Sequence, residues 1–217
     1  MASKVTLLTK HIIIRLHRIP KIVAWIFPRR IWFAPNDNVC LTFDDGPHPE
    51  TTPWLLAFLK KHNIQATFFW QGEKIKENPA LYQKAISEGH VVGHHGYVHV
   101  SAKQLSFERF CVNFDQSQTL VNSTLFRPPH GRLNRKQANY VMQKGIIVMW
   151  SWMSYDFDTS LSADAIIQKA TKQIRNRDIL VFHENEKSKD KLKQIIPAII
   201  KVIRDKQLNF ALVEKKQ

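Results

Sequence analysis

The sequence predicts a single α/β domain of the β/α-barrel kind, and three observations predict it. Short β-rich runs alternate with longer helical ones, an order that implies parallel pairing. Seven β-rich runs can be counted, enough for a closed or nearly closed barrel, with a doubly wound sheet as the alternative. No repeat, low-complexity tract or Pro/Gly/Ser-rich linker divides the 217 residues, and 44% apolar content suffices for one full core.

Taken in order, strands are expected at 39–43, 66–70, 91–93, 125–127, 146–150, 179–182 and 210–213. A helix is expected around 54–62. Asn78 before Pro79 opens the next, which ends near Gly89. Ser106 caps a helix whose Phe107, Phe110, Cys111, Phe114, Ser117 and Val121 recur at helical spacing. Asn134 with Gln137 has the capping-box pattern for a helix closing at Gly145. Ser162 caps another that carries Ile166, Ile167 and Ala170, and a last helix covers 192–204.

Residues 1–38 form a basic, apolar N-terminal segment, and 39–217 the domain proper. Arg15, Arg18 and Lys21 interrupt the apolar residues between Ile12 and Phe27, so no transmembrane helix is expected. The segment also lacks the unbroken apolar core and small-residue cleavage site of a secretory signal. It either packs on the domain or lies as short amphipathic pieces on a membrane surface. The expected location is cytoplasmic or peripheral to a membrane. The formal charge of +14 favours an acidic partner. Aromatic residues do not interleave with Lys and Arg in a nucleic-acid motif, so no nucleic-acid partner is expected. Cys40 and Cys111 are expected as small core residues rather than a disulfide.

Five of the predicted strands are followed at once by chemically capable residues. In a β/α barrel the loops after the strands share one rim, so these groups can converge. In Thr42-Phe43-Asp44-Asp45-Gly46-Pro47, adjacent carboxylates leave a strand in different directions, and one can bind a metal while the other acts as a base. Alone, Asp-Asp-Gly also describes an ordinary turn. In Gly93-His94-His95-Gly96-Tyr97-Val98-His99, His95 and His99 stand four apart, which predicts two imidazoles on one face of a helical turn. With Asp45 they make three ligands and leave a position open for water, as a catalytic metal requires.

The run Phe126-Arg127-Pro128-Pro129-His130-Gly131 ends a strand in an arginine and a stiff turn. Arg127 can hold a carboxylate, and the turn at Pro129 can aim the His130 backbone N–H at a developing oxyanion. His183, directly after a strand, can serve as general acid if Asp156 raises its pKa.

The ordered set TFDDGP, H-x-x-x-H, R-P-P-x-G, a late Asp after a Trp-containing strand, and a strand ending in His resembles the polysaccharide deacetylase family, the NodB homology domain of carbohydrate esterase family 4. The resemblance spans about residues 39–184 and implies a distorted (β/α)7 barrel. It implies Asp44 as general base, Asp45, His95 and His99 as metal ligands, and Arg127 as the tether of the base. It further implies the His130 N–H at the oxyanion, Asp156 as partner of the general acid His183, and Val181 and Phe157 lining an acetyl pocket. The implied cofactor is one divalent metal, zinc first, with cobalt or nickel as alternatives.

The implied reaction is removal of an acetyl group from an acetylated glycan or a lipid-linked sugar. An O-acetyl esterase and a catalytically silent glycan-binding module are the alternatives. Five positions depart from the family pattern: His94, Gly96, His130, Met153 and Phe157. None removes an implied ligand, base or acid, so the departures bear on substrate preference.

Overall fold

The computed structural model describes residues 15–213. Seven strands pair in parallel: β1 (Cys40–Asp44), β2 (Thr67–Trp70), β3 (Val91–His94), β4 (Leu125–Phe126), β5 (Ile146–Ile147), β6 (Trp152–Met153) and β7 (Ile179–His183). Their order is β5-β4-β3-β2-β1-β7-β6. The helices are α1 (Lys21–Ile26), α2 (Thr51–Lys61), α3 (Gly72–Glu77), α4 (Pro79–Ser87), α5 (Phe107–Gln118), α6 (Arg135–Lys144), α7 (Ala163–Gln173) and α8 (Lys189–Asp205). This is the expected single-domain distorted (β/α)7 barrel.

Strand alternation sorts the side chains into two layers. Leu41 and Phe43 of β1, Phe68 and Trp70 of β2, and Leu180 and Phe182 of β7 join one core with Leu55 and Leu56 of α2 and Ile195, Ile196 and Ile199 of α8. The other face of β1 carries Cys40, Thr42 and Asp44, all buried. Cys40 lies in a smaller cluster with Phe69, Leu125 and Ile179. Burial on both faces is what parallel strands under helices require, and it leaves Asp44 at the carboxyl end of β1, on the inner face.

Two strand expectations are corrected. Residues 210–213 make no strand, because pairing stops after the single Val39 to Phe210 bridge and the Val213 N–H turns to the Thr67 hydroxyl at 3.0 Å. The run 146–150 contributes only β5. Val148 N–H still reaches the Phe126 carbonyl, but Met149 N–H goes to Ile31 and Ser151 N–H to Ile179. The chain thus passes from the β4 edge to the β7 edge, where it forms β6.

The helix caps follow the expected chemistry at Ser106, at Ser162 and in the Asn134–Gln137 capping box. The helix expected to open at Asn78-Pro79 is α4, though Asn78 does not cap it with its side chain. That side chain donates back to the Lys74 carbonyl at 3.1 Å, because it closes the unexpected α3, and α4 begins on Pro79 without a side-chain cap. Cys111 is only half-buried on α5.

The N-terminal segment, as far as it is described, fills the wedge between β5 and β6. Met153 N–H donates to His17, Ile19 N–H to Ser151, and Ile31 N–H to Ile147. Residues 1–14 of the segment lie outside the described residues. Arg18 fastens it: its guanidinium meets both oxygens of buried Asp178, at 2.8 and 2.6 Å, and also reaches the Gln173 carbonyl. The Asp178 carboxylate is completed by Ser151 Oγ at 2.7 Å and the Arg175 N–H at 2.9 Å. Arg18→Met should therefore cost about 1.5–3 kcal/mol, the worth of charged hydrogen bonds left unmade at a buried carboxylate. A urea midpoint equal to that of the parent chain would contradict this fastening.

Candidate active site

Asp44 ends β1 almost fully buried, and one side chain answers its charge. Arg127, at the end of β4 and inaccessible to solvent, donates from Nη1 to Asp44 Oδ1 at 2.7 Å. The same guanidinium donates to Thr42 Oγ1 at 2.7 Å and to the Met149 carbonyl at 2.9 Å, and it stacks 4.1 Å over the Phe69 ring. Burial raises the pKa of Asp44, with Arg127 and His183 opposing it. The result is a carboxylate fixed in orientation and more basic than a solvated one.

Asp45 points elsewhere. The chain turns there with φ at 74°, held by Lys74 Nζ and Gln71 Nε2 on its carbonyl at 2.7 and 3.0 Å. Its Oδ2 accepts from Asn185 Nδ2 at 2.7 Å, while Oδ1 is buried without a hydrogen-bond partner. Oδ1 lies 3.7 Å from His95 Nε2 and 3.3 Å from His99 Nε2, and one ligand atom from each of the three residues falls within 4.8 Å of the others. Burial raises the Asp45 pKa, but His183, His95 and His99 with the Asn185 bond outweigh it and hold the group at about 2. Burial lowers both His95 and His99 to about 4.

The two imidazoles are thus neutral at physiological pH, the form that ligates a metal. His95 Nδ1 lies 2.7 Å from the Arg127 carbonyl, which fixes that nitrogen as the donor and leaves Nε2 its lone pair. An orphaned, ionised carboxylate oxygen facing two neutral imidazole nitrogens fits a divalent cation. The backbone there is not the expected helical turn. His95 to His99 form a loop after β3, turned at Gly96 with φ at 83°, and the loop rather than a helical face brings the rings to 5.1 Å.

His183 ends β7, paired in register with Asp44. Its Nδ1 lies 2.7 Å from Asp156 Oδ1 and its backbone N–H donates to Asp156 Oδ2 at 2.8 Å, while Ser154 Oγ also donates to Oδ1. Burial opposes the imidazolium, yet Asp156 at contact distance, with Asp45 and Asp44 beyond it, overcomes that and lifts His183 to about 9. The half-buried Phe157 stands edge-on to the imidazole at 4.7 Å. Val181 is fully buried two residues before His183, on the same side of the strand.

Pro129 is buried, and His130 is exposed with φ at 58° and its ring 4.8 Å from that of His99. The structure therefore gathers Asp45, His95, His99 and His130 on one side, and Asp44, Arg127, His183, Asp156 and Phe157 around the ends of β1, β4 and β7. Sequence reasoning missed Asn185, Lys74 and Gln71, which orient Asp45. Asn185 stands in the loop two residues after His183, and that proximity was its only signal. Lys74 and Gln71 carried none, because their role depends on the turn they stabilise.

Barrel enzymes build their sites on this carboxyl-terminal rim, and what meets there is a set of titratable side chains, three of which could hold a metal ion. The family model described as polysaccharide deacetylase matches residues 34–149, more than half of the chain. The chain belongs to that family. A peptidoglycan-N-acetylglucosamine deacetylase of Bacillus cereus is 27% identical over 193 residues, covering 85% of this chain and 91% of that protein. The solved family 4 carbohydrate esterase of Streptomyces lividans, in complex with acetate, superposes with a TM-score of 0.74 at 28% identity, covering 82% of this chain and 94% of that one. A CE4 family pseudoenzyme from Bacillus anthracis shares the fold at 22% identity and a TM-score of 0.76, covering 86% of this chain and 68% of that one.

Losing Arg127 would leave Asp44 buried without its hydrogen-bonded countercharge. Arg127→Met should cost about 3–5 kcal/mol, because Asp44 would keep its burial and lose its countercharge. Adding Asp44→Asn to that variant should recover part of the loss in urea unfolding. Equal stability of the single and double variants would show that the pair is not coupled.

Proposed function

We propose that this protein is a metal-dependent hydrolase that removes acetyl groups from N-acetylated sugars, in a glycan or a lipid-linked saccharide. The observation that carries the reading is the pair of adjacent aspartates in opposite environments: Asp44 tethered by Arg127 beside His183, and Asp45 with an unpartnered oxygen facing His95 and His99. The deacetylase among the relatives supports the same reaction class.

A divalent metal held by Asp45, His95 and His99, zinc first with cobalt or nickel as alternatives, would supply Lewis acidity to the acetyl carbonyl and to water. Asp44 accepts the proton of the attacking water, with Arg127 fixing its orientation. The His130 N–H donates to the developing oxyanion. His183, charged through Asp156, gives its proton to the leaving nitrogen, which cannot depart as an anion. Phe157 and Val181 flank His183 on the side where the acetyl methyl would lie. An O-acetyl ester would need that proton less, so dependence on His183 separates amide from ester substrates.

The two aspartates should fail differently. Asp45→Ala should lose the bound metal, since one of three protein ligands is gone, whereas Asp44→Asn should keep the metal and lose about 10²–10⁴-fold in turnover. Metal content and acetate release, measured together, check this; metal loss in Asp44→Asn with retention in Asp45→Ala would exchange the roles.

The pH profile follows from His183. Its raised pKa keeps it protonated through neutrality, so activity should fall as pH rises through about 9. Asp156→Asn removes the strongest influence raising that pKa and should move the alkaline limb to lower pH. An unmoved limb would assign it to another group.

A further inference from the structure

Of the eight large hydrophobic side chains exposed among the described residues, five fall between residues 16 and 27: Leu16, Ile22, Trp25, Ile26 and Phe27. Trp25 is 76% exposed, the most of any of them. The other side of α1 is anchored. Val23 and Ala24, with Ile19, pack into the cluster that contains Ala102, Met149 and Trp150. Ile22, Trp25 and Ile26 share one face of α1 at helical spacing, which is not the scattered exposure ordinary surfaces carry.

Charge supplies the second observation. From Met1 to Asn36 the sequence holds seven Lys and Arg and no Asp or Glu, half of the formal charge of +14. Arg15 and Arg18 are spent on Asp158 and Asp178. Lys21, Arg29 and Arg30 flank the apolar face and form no ion pair among the described residues, and Arg30 lies 4.5 Å over the Phe27 ring. Apolar residues with an exposed tryptophan, fringed by cations with no acidic neighbour in sequence, match the interface of an anionic bilayer, where insertion and headgroup attraction act together.

We infer that the exposed face of α1 is a docking surface for an anionic phospholipid membrane. It rests on the proposed function only in its consequence for substrate. The cluster beneath α1 includes Trp150, whose ring abuts Gly131 beside His130, and Leu105 in the stretch following His99. A bilayer on this face would lie beside the mouth of the site, where an acetylated saccharide presented at a membrane surface is within reach.

The full chain, incubated with phosphatidylcholine vesicles and with the same vesicles containing phosphatidylglycerol, should sediment with the anionic ones and be released by salt. Trp25→Ser/Ile26→Ser and Lys21→Glu/Arg29→Glu, each in the full chain, should weaken that binding by about tenfold or more. Circular dichroism and acetate release from a soluble acetylated oligosaccharide should stay as in the parent. No binding to anionic vesicles at low salt would overturn the inference, as would binding that neither double variant weakens, which would pass the role to residues 1–14. A dimer that Trp25→Ser/Ile26→Ser converts to monomer, without vesicle binding, would overturn it in favour of a second copy. Vesicle binding without acetate release from any acetylated saccharide would sink the proposed function and leave the membrane surface standing.

Discussion

Asp44 is an ionisable group with almost no water, and a buried carboxylate persists as an anion only where a fixed countercharge meets it. The Arg127 guanidinium meets that need and binds more than its partner. It takes Thr42 from β1, Phe69 from β2 and the Met149 carbonyl beyond β5. Three separate segments therefore converge on one planar group carried by a fourth. That convergence demands strands running in the same direction with their carboxyl ends on one rim, and it dictates why the site could not be assembled on an antiparallel sheet of the same composition.

The two aspartates of TFDDGP then divide by environment rather than by chemistry. Asp44 has burial against it and Arg127 and His183 for it, and its pKa still rises. Asp45 is also buried, but three imidazoles and the Asn185 amide outweigh that, and its pKa falls to about 2. A carboxylate that resists protonation suits a cation, and one that welcomes a proton suits a base. The positive φ at Asp45 makes the division geometric, since it turns the second side chain away from the first.

Much of this is legible in the amino-acid sequence. Strand runs bounded by turn chemistry gave β1, β2, β3, β4 and β7, and the rim logic brought Asp44, Asp45, His95, His99, Arg127 and His183 together. What failed shares a cause. Residues 210–213 have strand composition, but β1 was already paired with β2 and β7 above that point, so only Val39 was left to bridge. The histidine pair reads as helical by its spacing of four, yet Gly96 makes a loop do the same task. Trp152–Met153 fell just beyond the expected 146–150 strand, because where a strand begins and ends depends on neighbours that spacing does not reveal.

The passage from β5 to β6 explains the place of the N-terminal segment. β5 and β6 are two ends of a single passage, splayed where the sheet would otherwise close, and edge groups in such a gap need partners. Ile31 and residues 17–19 provide them. The Met149 peptide joins the two systems: its N–H donates to the Ile31 carbonyl, and its own carbonyl accepts from Arg127. A hydrogen-bonded path therefore runs from the segment that seals the barrel, through one residue, to the guanidinium that holds Asp44. Residues 15–31 add no strand to the sheet, yet they pin the acceptor against which the arginine is aligned. Loosening them would reach Asp44 before it reached Asp45, His95 and His99, which hang from the end of β1 and the loop after β3.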